Sequence, residues 1–405
     1  MNNRNKAIFL LSLVWVIASA SPTQLQEKRS IQFLNRCPFP VWLGISSSDV
    51  QNMHPRYKGD SSCNSDDDCY SGSVCRDVFP NPKCFWQHPK PENLIYRLEA
   101  SNGTTRVDFA FFINGYDIAW EGAVAARTNC VKGICETGGC GEEANCPFGK
   151  SFSYPATEVK LRLSKYEADQ YEITIYKGLN VPIGISPSLP LHKLLHSLDD
   201  PYECGSAGIC SWLFKPPSDD YQWVSSSSRL CSSQNDCNYP EKCGISYSGD
   251  RTSLLQKNCG RLLGYWTAQR ICEINPYYGA PFNCAESLPG QDKNLALRNL
   301  QWCIAMKSCY AENAKRDCCG CADWDQLGLP VPPFPATNHC GSTNVVWEKK
   351  VLPTLFWLKK ACPSAFVYPY DNKSSTFYCE SHIQKEGFNV ASYTITFCPN
   401  GRYFE

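Results

Sequence analysis

Neither sign of charge dominates this chain: Lys and Arg total 39, and so do Asp and Glu. A balanced field lacks the basic stripe that grips nucleic acid through its phosphates, and it gives no pull toward an anionic membrane surface. Histidine is scarce, with His54, His88, His192, His196, His339 and His382 scattered along the chain. Only His192 and His196 have the four-residue spacing that shares a helix face and would offer a metal pair. Their context, LPLHKLLHSL, reads as a packed or solvated loop-helix instead. HExxH, GxSxG and a glycine-rich phosphate loop are missing, which removes the reaction classes those motifs carry. No metal and no cofactor are expected.

Long apolar runs are absent beyond the start of the chain. There, Arg4 and Lys6 precede Ala7–Ala18, and Ala18-Ser19-Ala20 has the small-residue pattern of a cleavage site. This reads as a signal peptide over residues 1–20, too short for a membrane span, so a secreted, extracellular protein without a membrane anchor is expected. Cysteine is abundant by contrast: 26 residues, all after Ala20. An even count at this density implies disulfides in an oxidising compartment and leaves no free catalytic thiol.

Alternating runs with turn residues between them mark strands: Ser30–Asn35, Val41–Ile45, Arg106–Ile113, Glu158–Tyr166, Tyr171–Tyr176 and Ser392–Cys398. They favour an antiparallel β-sandwich. Residues 200–363 read differently, with few alternating strands, many cysteines and helical patterns at Asn294–Ala314 and Val345–Ala361, the latter interrupted by Pro353. The expected organisation is a signal peptide (1–20), a sandwich (21–199 plus 364–405, with an insertion at about 47–92) and a disulfide-rich, partly helical second domain (200–363).

The chain also echoes itself. SCNSDDDCYSGSVC and LCSSQNDCNYPEKC both carry C-x5-C-x5-C, at Cys63, Cys69, Cys75 and at Cys231, Cys237, Cys243. Each resembles a fragment of a whey-acidic-protein-type module. Asp66, Asp67 and Asp68 lack the alternating spacing of a calcium loop, so a solvated, disulfide-held acidic loop is the reading.

Three segments resemble thaumatin-like proteins. They are FLNRCPFPVWLGIS (Phe33–Ser46); AARTNCVKGICETGGCGEEANC (Ala125–Cys146) with KGLNVPIGISP (Lys177–Pro187) after it; and CPSAFVYPYDNKSSTFYC (Cys362–Cys379) followed by YTITFCP (Tyr393–Pro399). The resemblance implies a sandwich, a disulfide-rich second domain and a cleft between them. It implies the pairs Cys37–Cys398, Cys130–Cys135 and Cys140–Cys146. Through CGST (Cys340–Thr343) it also implies Cys309–Cys318 and Cys319–Cys340, and it counts Cys362 and Cys379 among the disulfide cysteines. Cys321 is then left to one of the extra cysteines. Both three-cysteine echoes fall in insertions relative to the family, as a decorated rim around the cleft.

Many family members bind β-1,3-glucan and some hydrolyse it, using an acidic cleft of one Arg, one Glu and three Asp. Glycoside hydrolysis needs two carboxyl groups flanking the bond. Matched outward from the motifs, the Arg position is Ala123, the Glu position Lys160, and the Asp positions Glu172, Lys177 and Asn372. Only Glu172 keeps a carboxylate. Glu158, on the same strand face as Lys160, and Asp371, beside Asn372, are the residues that would rebuild an acid pair, so Glu158, Glu172 and Asp371 are the catalytic candidates. The leading expectation is a non-catalytic, monomeric defence protein that binds β-glucan or another cell-wall polysaccharide. An endo-β-1,3-glucanase and an inhibitor of secreted hydrolases are the alternatives. Sequons place glycosylation at Asn102 and Asn372.

Overall fold

The computed structural model describes residues 27–47, 62–69, 73–77, 81–86, 91–111, 120–141, 146, 150–164, 167–188, 200–247, 255–288, 296–304, 306–315, 317–331, 340–379, 392–401 and 403. The leader and all six histidines, including His192 and His196, lie outside them.

Two sheets face each other across one core. The first runs β10 (Ile183–Ser188), β17 (Ser392–Phe397), β1 (Glu27–Asn35), β6 (Gly103–Phe111). The second runs β15 (Ala365–Phe366), β9 (Asp169–Thr174), β8 (Glu158–Leu163), β7 (Trp120–Thr128), β2 (Val41–Ser47), β5 (Arg97–Leu98), with β16 (Thr376–Cys379) also on β9. Alternation explains the layering. Ile31 and Phe33 of β1, Tyr393 and Ile395 of β17, and Val159 and Leu161 of β8 are all buried in one cluster. Rings bridge the sheets, with Phe109 against Trp120 at 4.6 Å and Tyr171 against Tyr393 at 5.4 Å.

The sheets are mixed rather than purely antiparallel: β1 and β17 run parallel, with Asn35 opposite Phe397. That register brings the two strand ends together, and Cys37 and Cys398 bond there across a sequence separation of 361.

The signature motifs hold this core together. Arg127 is buried and donates to the Leu43 carbonyl at 3.1 Å, and burial pulls its guanidinium down to about 10. The Asn180 amide donates to the Ala126 carbonyl and to Thr137 Oγ1, both at 2.8 Å, so the two motif segments lock to each other.

The stretch 200–363 is richer in strands than its sequence suggests. β11 (Gln222–Val224), β12 (Lys242–Ser246), β13 (Gln256–Gly260) and β14 (Leu262–Tyr265) form a sheet in the order β13-β12-β11-β14, while β3 (Ser73–Arg76) and β4 (Lys83–Trp86) pair alone. Strands β11–β14 are three to five residues long and buried in continuous runs, so they show no two-residue period to a pattern reading. The helices are α1 (Ala268–Ile274), α2 (Leu297–Trp302), α3 (Val345–Lys350) and α4 (Leu352–Ala361). The helical pattern at Asn294–Ala314 thus yields only α2, because Cys303 takes a left-handed conformation (φ 53°) that ends it. The pattern at Val345–Ala361 divides at Val351 into α3 and α4, and Pro353 sits in the first turn of α4, where no N–H is needed. Tyr221, Trp223, Trp266 and Trp357 join the sandwich residues in a single buried cluster.

Twelve disulfides are defined among the described residues. Cys204–Cys379 and Cys210–Cys362 tie the 200–212 segment to the closing segment, so Cys362 and Cys379 are bonded but not to each other. Cys309–Cys318 is present. The implied pair Cys319–Cys340 is not: Cys319 bonds Cys303, and Cys340 bonds Cys321. The reason is the direction of the side chains. Cys319 points into the main core, where Cys303 sits, whereas Cys321 points into a satellite cluster with Cys309, Cys318 and Cys340.

Candidate functional site

A cleft of about 920 Å³ opens over the face of the seven-stranded sheet where β2, β7, β8 and β9 lie side by side. Register fixes its floor. Lys160 of β8 stands between Ala123 of β7 and Glu172 of β9, and Glu158, two residues earlier, shares its face. All four line the cleft. Lys177 approaches it from the loop after β9, its ammonium 4.6 Å from the ring centroid of Tyr154, a cleft residue.

The two carboxyl groups are both engaged. Lys160 Nζ lies 3.6 Å from Glu172 Oε1, and the Tyr154 hydroxyl donates to Glu158 Oε1 at 2.7 Å. Burial pushes the Glu158 carboxyl above its ordinary range, against the Tyr154 hydrogen bond and the charges of Lys160 and Lys177. Burial raises Glu172 as well, opposed by Lys160 and by a hydrogen bond from Thr376. Burial pulls the Lys160 ammonium down, but Tyr176, Glu172 and Glu158 together lift it above its usual value. Lys160 also lies 5.5 Å from the Tyr176 ring centroid, so the centre of the cleft is a cation fixed by two carboxylates and an aromatic face.

Three residues assigned to the cleft from sequence are not among its lining: Lys177, which packs on the Tyr154 ring, Asp371 and Asn372. Asp371 is fully buried, with Oδ2 2.8 Å from Lys359 Nζ, and it accepts from Trp324 Nε1 at 2.7 Å. Lys359, equally buried, also donates to Ser374, Ser375 and the Ala365 carbonyl, which compensates an ammonium whose pKa burial pulls down. Asp371 therefore anchors the turn before β16, and Asn372 follows it as an exposed turn residue. Among the described residues, none that lines the cleft belongs to either cysteine repeat.

Sequence reading missed Tyr154, Phe152, Gln170 and Thr376, all of which line the cleft. Tyr154, four residues before Glu158 and ahead of a proline, carried a signal only if its hydroxyl was already known to face that carboxyl.

A β-sandwich closed by a first-to-last disulfide, with a cleft over its larger sheet, defines the architectural class. Residues 100–399 match the thaumatin family, and the chain belongs to that family. It is also similar to a PR5-like receptor kinase of Arabidopsis thaliana, 29% identical over 125 residues. That match covers 30% of this chain and 14% of the kinase's length, so the chain spans a small part of that relative. Among the described residues, no helix is long and apolar enough to cross a membrane.

Proposed function

We propose that the protein is a secreted, non-catalytic binder of neutral cell-wall polysaccharide, of the β-glucan class, acting in defence as a monomer. The observation that carries this reading is Lys160. It occupies the position where the resemblance calls for an acid and pairs with Glu172. With Tyr154 donating to Glu158, neither carboxyl group stands free to protonate a leaving oxygen or attack a sugar. What the cleft offers a ligand is aromatic surface and hydrogen-bonding groups: Phe152, Tyr154, Gln170, Thr376. A disulfide-rich thaumatin domain is consistent with an extracellular protein. Asn102 is exposed in the turn before β6, open to a glycan.

The test is a laminarin assay with the oxidised protein. Retention on glucan that changes little between low and high salt is expected, since a neutral sugar displaces no counterions, together with no release of reducing ends. The glucanase reading keeps one observation in its favour: Glu158 and Glu172 line one cleft and burial raises both. Laminarin hydrolysis abolished by Glu158→Gln or Glu172→Gln would put that reading first. Lys160→Glu with Lys177→Asp and Asn372→Asp is expected to add little activity, because Asn372 lies outside the cleft lining.

A further inference from the structure

The second cysteine repeat helps to wall a cavity of about 1180 Å³, distinct from the cleft and lined by the opposite ends of β2 and β7. Phe39, Trp42, Tyr239, Arg261 and Tyr403 are among its lining residues. Phe39 and Tyr403 meet edge to face at 4.6 Å, and the Arg97 guanidinium lies 5.5 Å from the Trp42 ring centroid. Tyr239 is 97% exposed, yet its loop is clamped at both ends, by Cys237–Cys259 and Cys231–Cys243. A large ring held rigidly in water adds nothing to the core. Its loop ordering is already set before any ligand arrives, which is the preorganisation that favours recognition.

The charges on the wall narrow the ligand. Arg97 pairs with Glu99 at 2.6 Å, Arg261 with Glu136 at 2.6 Å, and Glu241 with Arg229 at 3.4 Å. These guanidinium and carboxylate groups are neutralised where they stand but keep spare hydrogen-bonding capacity. An anionic ligand would have to compete with the carboxylates for both arginines, with Lys242 the one lining cation outside these pairs among the described residues. A purely apolar one would leave the polar rim unused. A ligand with C–H faces for the rings and uncharged hydroxyls for the rim matches both.

We propose that this pocket is a second saccharide site for an uncharged oligosaccharide, completed by the second repeat. The choice of ligand class rests on the carbohydrate reading of the cleft, whereas the location does not. From Trp42 to Ser46 along β2 is roughly 13 Å at the rise of a strand. Two weak sites that close together on one molecule reinforce each other on a polymeric ligand through effective concentration.

The experiment is titration of the full oxidised chain with laminarihexaose and chitohexaose, by calorimetry and tryptophan fluorescence. Two variants accompany the wild type: Tyr239→Ala, which should not affect folding because the ring is exposed, and Thr376→Trp, which places a bulky ring in the cleft. The expected result is two sites in the wild type, with Tyr239→Ala weakening one about tenfold or more at unchanged melting temperature. Trp42→Leu should remove the fluorescence response of that same site. If the cleft reading alone is wrong, Thr376→Trp binds like wild type and Tyr239→Ala abolishes binding. Hexasaccharide binding that neither Tyr239→Ala nor Trp42→Leu alters, or no binding by the wild type, overturns the proposal.

Discussion

The two cysteine repeats share one local plan and have opposite fates in the fold. In both, a one-turn 3-10 helix is closed by an aspartate accepting the backbone amides that precede it. Asp68 takes the N–H groups of Asn64 and Ser65 at 2.8 and 3.0 Å, and Asp236 those of Ser232 and Ser233 at 2.7 and 2.9 Å. The third cysteine's amide is then held by the first side chain of the turn, Cys75 N–H by Asp66 and Cys243 N–H by Gln234. In both, that cysteine stands opposite a further cysteine across a hairpin, Cys75 opposite Cys84 and Cys243 opposite Cys259. The fourth cysteine is what the three-cysteine echo lacked.

The difference lies in what surrounds them. The first repeat's buried cluster is Cys63 and Cys69 with Cys75 against them, and its hairpin forms a two-stranded sheet by itself. The second repeat feeds β12 and β13 into a four-stranded sheet, sends Ile245 into the main core, and has its Ile245 carbonyl held by Trp266 Nε1 at 2.9 Å. Local disulfide chemistry makes the module, and apolar side chains decide whether the module joins a core.

The largest expected effect tests that weld. Trp266→Ala removes a fully buried ring and the hydrogen bond to the second repeat. It should cost about 3–5 kcal/mol and lower the melting temperature of the whole chain. Thermal unfolding followed by calorimetry checks this, and a separate, unshifted main transition would mean that the weld is only apparent.

A second comparison uses loops of equal length. Cys63–Cys75 and Cys231–Cys243 each span 12 residues, so the chain-entropy model assigns them similar values, near ~3 kcal/mol. Changing both cysteines of a pair to serine should nonetheless separate them. Loss of Cys231–Cys243 is expected to lower the global melting temperature, and loss of Cys63–Cys75 to raise proteolysis within the first repeat alone. Equal global shifts would erase the distinction drawn here.

The smallest effect is a pH dependence within the second repeat. The Ser233 amide, then the Ser232 amide and hydroxyl, hold the Asp236 carboxyl down to about 2. A folded value below the unfolded one means this group stabilises the turn fully above about pH 4 and loses that contribution as pH falls toward 2. Amide exchange at Ser232 and Ser233 should therefore accelerate over that window in the wild type. In Asp236→Asn it should be fast throughout and indifferent to pH in that range.

The sandwich was legible because its strands alternate: Ile31 and Phe33 alternate with polar residues in sequence and do so in burial. The Glu158–Lys160–Glu172 group was legible for the same reason, since residues two apart share a face once a strand is assigned. Asp371 was misassigned because adjacency along the chain says nothing about which side of a turn faces solvent. Its partner Lys359 lies on a helix that the sequence showed as a helical pattern, with nothing local to say that this lysine turns inward. The strands β11–β14 were missed because each is only three to five residues long and buried in a continuous run, which gives no alternation to read.

By itself, then, the sequence determined a disulfide-rich, mainly β thaumatin-family protein, strand faces that bring Glu158, Lys160 and Glu172 together, and a repeated cysteine module. Those properties are encoded in short-range alternation and spacing. Only the tertiary structure decided that Cys319 bonds Cys303, that Asp371 serves the core, and that one repeat is built into the core sheet while the other keeps its own. Each of those outcomes turns on which side chains face one another across the fold. That is set by the packing of distant segments and leaves no mark on local sequence.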